Sequence, residues 1–127
     1  MRRTLILTLS VLILALSVCT FTSAFMSDIV EQVRYLHNEA VRCVESGDTG
    51  RAKEIMVEMA TLWREKESVL EVITSHDAVH EVKLGIIEAQ ICLECDDHDD
   101  FLRTISIAGE GLEHMLSTEI LSLSNLY

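Results

Sequence analysis

From Thr4 to Phe25 the chain reads TLILTLSVLILALSVCTFTSAF, an uncharged, mostly apolar run preceded directly by Arg2 and Arg3. Wound as a helix rising 1.5 Å per residue, this run is about 33 Å long, close to the roughly 30 Å hydrocarbon core of a bilayer. So much contiguous apolar surface has no place on a water-facing domain. The chain therefore begins with a transmembrane or signal helix, and whatever folds in water is built from the remainder. Arginines in front and a strongly acidic chain behind put the amino terminus in the cytoplasm by the positive-inside rule. The body of the protein is then expected on the outer face of the cell membrane, held by a single pass.

The same run carries marks of cleavage. Its most apolar part, Leu5 to Val18, has the length of a signal-peptide core, and Thr22-Ser23-Ala24 resembles a small-residue cleavage site. The apolar character continues through Phe21 to Phe25, which favours a retained anchor; cleavage would leave a secreted domain. Leu16-Ser17-Val18-Cys19 approximates a lipoprotein box, but valine stands where that motif wants a small residue. The expected organisation is a signal anchor over 1–25 and an extracytoplasmic helical domain over 26–127.

About 100 residues can bury roughly two thirds of their unfolded surface, so the domain needs neither a disulfide nor a metal merely to fold. The chain has no proline and five glycines, a composition that favours helices joined by short turns. It holds 21 acidic residues, all of them after Met26, and 10 basic ones, of which Arg2 and Arg3 precede the apolar run; the domain alone therefore carries 8 − 21 = −13. A surface of that sign repels phosphate backbones and anionic lipid headgroups, which argues against nucleic acid as a partner and leaves cations or basic protein surfaces.

Four amphipathic stretches follow the apolar run. Ile29, Val33, Leu36, Ala40 and Cys43 line one helical face, with Ser27 as a candidate cap, Asp28 in the first turn and an end near Ser46-Gly47. With neither proline nor glycine between Ser23 and Gly47, continuation directly from the membrane span is an equal alternative. Ala52, Ile55, Met56, Met59, Trp63, Leu70 and Ile73 mark a second helix ending near Thr74. Val79, Val82, Ile86, Ala89 and Leu93 mark a third, beginning at Ser75-His76-Asp77. Phe101, Ile105, Ala108, Leu112, Met115 and Ile120 mark a fourth after the acidic run Asp96–Asp100. Gly85, Gly109 and Gly111 fall inside these helices at about 1 kcal/mol each relative to alanine, which implies room for Trp63 or a close helix crossing.

A shift of 49 residues aligns Val33 with Val82, Ala40 with Ala89, Cys43 with Cys92, Glu45 with Glu94 and Asp48 with Asp97, and superposes the turns VESGDTGRA and LECDDHDDF. The expected fold class is all-α: an N-terminal transmembrane or signal helix followed by four helices forming two hairpins. These either close as an antiparallel bundle or pile up as a stack of the tetratricopeptide-repeat kind.

The basic amino terminus with one membrane segment, the turn GDTGRAKEIMVEMATLW, the segment VLEVITSHDAVHEV and the ending EILSLSNLY together resemble the bacterial family DUF4363. The resemblance spans nearly the whole chain. Where many members carry a second tryptophan, this sequence has Val69-Leu70, and the Cys92/Cys95 pair is not a hallmark of the family. The resemblance implies a membrane-anchored, all-helical protein with an integral-membrane partner, and supplies no catalytic residues.

The densest chemistry is Cys92-Leu93-Glu94-Cys95-Asp96-Asp97-His98-Asp99-Asp100. Cys92, Cys95 and His98 are three candidate zinc ligands, with an aspartate as a fourth. A reading as an EF-hand loop fails, because Phe101 stands where the turn glycine belongs and Ile107 where the bidentate glutamate belongs. Redox catalysis is disfavoured, since both thiols fall at the carboxyl end of a helix among carboxylates. The plainer reading is that Asp97, Asp99 and Asp100 cap the fourth helix while Cys92 faces the core. If equivalent helices stack in parallel, Cys43 comes near Cys92, and outside the cytoplasm a disulfide from Cys43 to Cys92 or Cys95 is chemically permitted. His76 and His80 share one helical face, in the position of turn-closing residues. Nothing in the sequence matches a nucleophile elbow or a phosphate-cradling loop, so no enzyme is expected. The leading expectation is a membrane-tethered interaction module with a protein partner, including an integral membrane protein; the alternative is a metal-binding domain using Cys92, Cys95 and His98.

Overall fold

A computed structural model describes the backbone of residues 1–125 and the side chains through Ser117. It contains α1 (Arg2–Glu45), α2 (Thr49–Ile73), α3 (His76–Glu94) and α4 (His98–Asn125), with no strand among the described residues. Ile120, expected on the apolar face of α4, lies outside the described side chains.

The membrane-length run and the first amphipathic stretch are one helix. α1 passes without interruption through Thr22-Ser23-Ala24 and through Ser27, which is therefore not a cap. No glycine or proline interrupts the segment, and a helix already nucleated on its amino-terminal side gains a backbone hydrogen bond with each added residue. Asp28, instead of complementing a helix start, accepts a hydrogen bond from Gln32 Nε2 at 2.9 Å one turn on. The character of α1 changes along its length. An 18-residue window near its amino terminus is long and apolar enough to cross a membrane and has none of its residues buried, whereas burial begins at Met26 and continues at Ile29, Val30, Val33, Ala40 and Val44. Val44 takes the core position that spacing assigns to Cys43, which is only partly buried.

Each helix lies against two neighbours, α1 against α2 and α4, and α3 against α2 and α4, and no Cα of one diagonal helix comes within 8 Å of the other. This is a closed up-and-down bundle, not a stack. Its core runs through Ile55, Met59, Trp63, Val82, Ile86, Phe101, Ile105 and Met115, all buried. The Trp63 indole N–H donates to the Val79 carbonyl at 3.2 Å, which satisfies its one polar atom inside the core.

The 49-residue repeat is realised in the turns at one end of the bundle. Gly47 has φ +85° and its counterpart Asp96 has φ +56°. Asp48 N–H donates to the Cys43 carbonyl at 2.8 Å and Gly47 N–H to Val44 at 3.2 Å; Asp97 N–H donates to Cys92 at 3.0 Å and Asp96 N–H to Leu93 at 3.1 Å. This is the paired helix-ending pattern that needs one left-handed residue. In each hairpin the next helix then starts on an aspartate. Asp48 Oδ1 accepts from Arg51 N–H at 3.2 Å and Asp97 Oδ1 from Asp100 N–H at 3.1 Å. At the opposite end Ser75 caps α3, its hydroxyl accepting from Ala78 N–H at 3.1 Å.

Gly85, Gly109 and Gly111 mark close crossings, and the atoms nearest to them belong to Ala108, His37 and Val82, not to Trp63. A Cβ on Gly85 would sit 2.8 Å from Ala108 Cβ and 3.3 Å from its Cα, one on Gly109 would meet His37 Nε2 at 3.1 Å, and one on Gly111 would meet Val82 at 3.3 Å. Backbone cannot yield at Ala108 as a flexible side chain would. Gly85→Ala is therefore expected to lose about 1–2 kcal/mol in denaturant unfolding, overpacking outweighing the helix-propensity gain. Gly50→Ala, with nothing within 4 Å, serves as the reference and is expected to be neutral or stabilising by up to about 1 kcal/mol. An unchanged Gly85→Ala stability would contradict the crossing.

Candidate functional site

The cysteine-histidine segment does not assemble into a ligand set. Among the described residues, no group of three His, Cys, Asp or Glu side chains is gathered as a metal site would require. The reason is the turn itself: Cys92 lies on the last turn of α3, facing α4, Cys95 is the exposed cap residue, and the left-handed Asp96 reverses the chain before His98 opens α4. His98 Nε2 is buried with no partner. The Cys92 thiol instead reaches Asp100 Oδ2 at 3.5 Å and Thr104 Oγ1 at 3.9 Å, while the buried Thr104 hydroxyl donates to the Asp100 carbonyl at 2.7 Å.

The Cys43–Cys92 disulfide does not fit this fold. It presumes that α1 and α3 are neighbours, but they are diagonal, with all Cα separations beyond 8 Å where a disulfide needs less than about 7 Å. All four cysteines are free thiols.

His76 and His80 do share one face. Their rings stack with centroids 6.0 Å apart, and His76 Nδ1 lies 2.9 Å from Glu71 Oε1, linking the start of α3 to the last turn of α2. His76 closes the turn, as its sequence position implies, and His80 stacks on it.

The feature that sequence periodicity passes over is a second apolar stripe on α3. Val79, Val82, Ile86, Ala89 and Leu93 fill the core, yet Leu84, Ile87 and Ile91 remain 45%, 39% and 56% exposed. Their spacing of three and four places them along one outward line of the helix. Of the three, Ile87 edges a groove of about 300 Å³ between α2 and α3, floored by Trp63 and Ile86 and edged also by Val57 and Arg64. The ion pair of Lys83 with Glu67 spans it at 3.1 Å, and Lys53 stands 4.0 Å from Glu94 farther along the same seam. On a body with a large excess of carboxylates, this seam carries two cation–carboxylate pairs and Arg64, with Glu88 exposed beside the apolar line. The signal was present in the sequence: leucine and isoleucine at off-stripe positions of a helix that already had a complete core face.

A second, shallower groove lies between α1 and α4. Here the His37 ring donates through Nε2 to the Ile105 carbonyl at 3.0 Å, and Arg34 joins Glu31 on its own helix to Glu113 on α4. These contacts close the bundle at the seam where Gly109 admits the His37 ring.

Burial is the main cause raising the Cys92 thiol above the ordinary cysteine range, reinforced by the Asp100 carboxylate and partly offset by Thr104. Since the thiolate is the nucleophile, Cys92 is expected to alkylate far more slowly than the exposed Cys95 at mildly alkaline pH, and to accelerate only as pH climbs past the normal thiol range. Mass spectrometry of iodoacetamide-treated folded protein measures both sites. Equal rates would contradict the packing of Cys92 against α4.

Comparison with curated proteins and with solved structures gives no match. A family model, described as a domain of unknown function (DUF4363), matches residues 20–126. That range takes in the end of the apolar half of α1 and the whole four-helix body, so the chain belongs to the DUF4363 family.

Proposed function

We propose that the protein is a membrane-tethered interaction module: the apolar half of α1 stays in the cell membrane, the acidic bundle stands on the extracytoplasmic side, and the outer α2–α3 face binds the extracytoplasmic part of an integral membrane protein. The observation that carries this reading is the continuity of α1 from a wholly exposed apolar half into the bundle core. Cleavage after Ala24 would put a new ammonium on Phe25, one residue from the fully buried Met26 and beside Lys66, whose Nζ lies 5.8 Å from the Phe25 ring centroid. Retention avoids placing a charge at that point. The two arginines at the amino terminus supply the orientation.

The face offered to a partner is supported by its composition. Leu84, Ile87 and Ile91 give a helical line of apolar anchors, and the pairing of Lys83 with Glu67 keeps the groove from repelling an approaching helix. Such an i, i+3, i+7 line is the usual means by which one helix engages another. A partner already resident in the same membrane meets this face at a high local concentration, so a modest patch suffices.

Site-specific photocrosslinking in the cell's own membranes tests the reading. A photoreactive residue at Leu84, Ile87 or Ile91 of the full chain is expected to yield one discrete adduct to an integral membrane protein, and the same residue at Glu58, exposed on α2, is expected to yield none. Adducts of equal yield from every position, or none from the α3 line, would contradict a docking role for this face.

A further inference from the structure

The unbroken path of α1 fixes how deep the bundle sits, and this can be read from the levels of the antiparallel helices. α1 and α2 are joined by residues 46–48, so positions equally far from that turn lie side by side. Phe21 is 45 − 21 = 24 residues from the end of α1, and Ile73 is 73 − 49 = 24 residues from the start of α2. Contacts confirm the register: Leu62 lies with Glu31, Gln32, Tyr35 and Leu36, and Lys66 lies over Phe25. The last turn of α2 thus descends past Phe25 to the level of Phe21 and Thr22, about 5 Å inside the uncharged run at 1.5 Å per residue.

What the corner presents at that level suits lipid better than water. Val72 is 87% exposed and Val69 is also exposed; on α1 the exposed Phe21 stacks on Phe25 with centroids 6.4 Å apart. The polar groups there are largely met within the corner. Thr74 N–H donates to the Leu70 carbonyl at 2.8 Å, Ser75 caps α3, and the Glu71 carboxylate is held by His76 at 2.9 Å. The Lys66 ammonium lies over the Phe25 ring, 5.8 Å from its centroid and about one turn above, at a level where it can meet headgroup oxygens.

Resting on the anchor reading above, we propose that the α2–α3 corner is itself a membrane-contacting element, with Val69 and Val72 seated at the polar–apolar boundary of the bilayer beside α1. The bundle is then partly sunk in the interface instead of hanging from a stalk, and its occupant at this patch is lipid, not protein. The last part of the run carries Thr20, Thr22 and Ser23, so this level lies at the polar–apolar boundary and is shallow enough for the exposed Asp77 in the first turn of α3 to keep its hydration.

The test uses the full chain in phosphatidylcholine vesicles containing lipids brominated either near the glycerol end or near the tail end of the acyl chain, with tryptophan added singly and the emission of the parent, due to Trp63, subtracted. The added emission of Val72→Trp is expected to be lost with the shallow quencher and kept with the deep one. That of Val57→Trp, farther up α2, is expected to be kept with both, and that of Leu12→Trp to be lost with the deep one. Val72 is so exposed that the substitution leaves the fold intact. If Leu12→Trp is quenched while Val72→Trp responds no more than Val57→Trp, the corner stands clear of lipid and the proposal is overturned. If Leu12→Trp itself escapes quenching, the anchor reading fails and the proposal falls with it.

Discussion

The rest of the structure depends on the absence of any helix breaker between Arg2 and Gly47. A helix that starts in the apolar run has no reason to stop at its end, because Ser23, Ser27 and Asp28 permit a cap without imposing one. α1 therefore has two characters, with no buried residue in its membrane-length window and a core stripe from Met26 onward. A flexible linker would let the domain tumble above the membrane. An unbroken helix fixes the bundle relative to the apolar run, so that the turns at Gly47 and Asp96 lie at the end far from that run and the α2–α3 corner at the end near it.

Two hairpins with matched turns could have stacked or closed. They close because each helix buries one stripe toward a common centre and because α1 and α4 meet. His37 reaches the Ile105 carbonyl, Arg34 reaches Glu113, and Gly109 leaves room for the ring. The ion pair is exposed and contributes at most about 1 kcal/mol; the apolar stripes carry the association. The left-handed position between the helices is glycine in the first hairpin and aspartate in the second. Aspartate tolerates this conformation better than most side chains but less well than glycine.

Local chemistry was legible in the sequence and long-range placement was not. The ends of α1 and α2, the start of α3 at Ser75, the aspartate cap of α4 and the close crossings follow from residue types at fixed offsets, which a linear reading captures; the Ser27 cap does not, because α1 runs through it. Periodicity located most of the core but named Cys43 where Val44 is buried and gave Leu36 and Ile73 core places that are only partly buried, because a linear reading does not fix how wide a stripe the neighbouring helices cover. The proposed ligands Cys92, Cys95 and His98 are close in sequence, yet the reversal at Asp96 turns them to different surroundings. The pairing of Cys43 with Cys92 required a stack and was lost with it. The outward line Leu84, Ile87 and Ile91 was present as residue types, but only the bundle shows that no other helix covers it.

The central claim is that membrane span and bundle are one continuous helix. Amide hydrogen exchange of the full chain in lipid nanodiscs measures this directly across residues 20–35. Helical hydrogen bonds that run unbroken from the bilayer into the core predict slow exchange at every amide through Phe25, Met26 and Ser27. A fast-exchanging gap at residues 22–28, flanked by protected segments, would show a hinge between anchor and domain and would contradict the account.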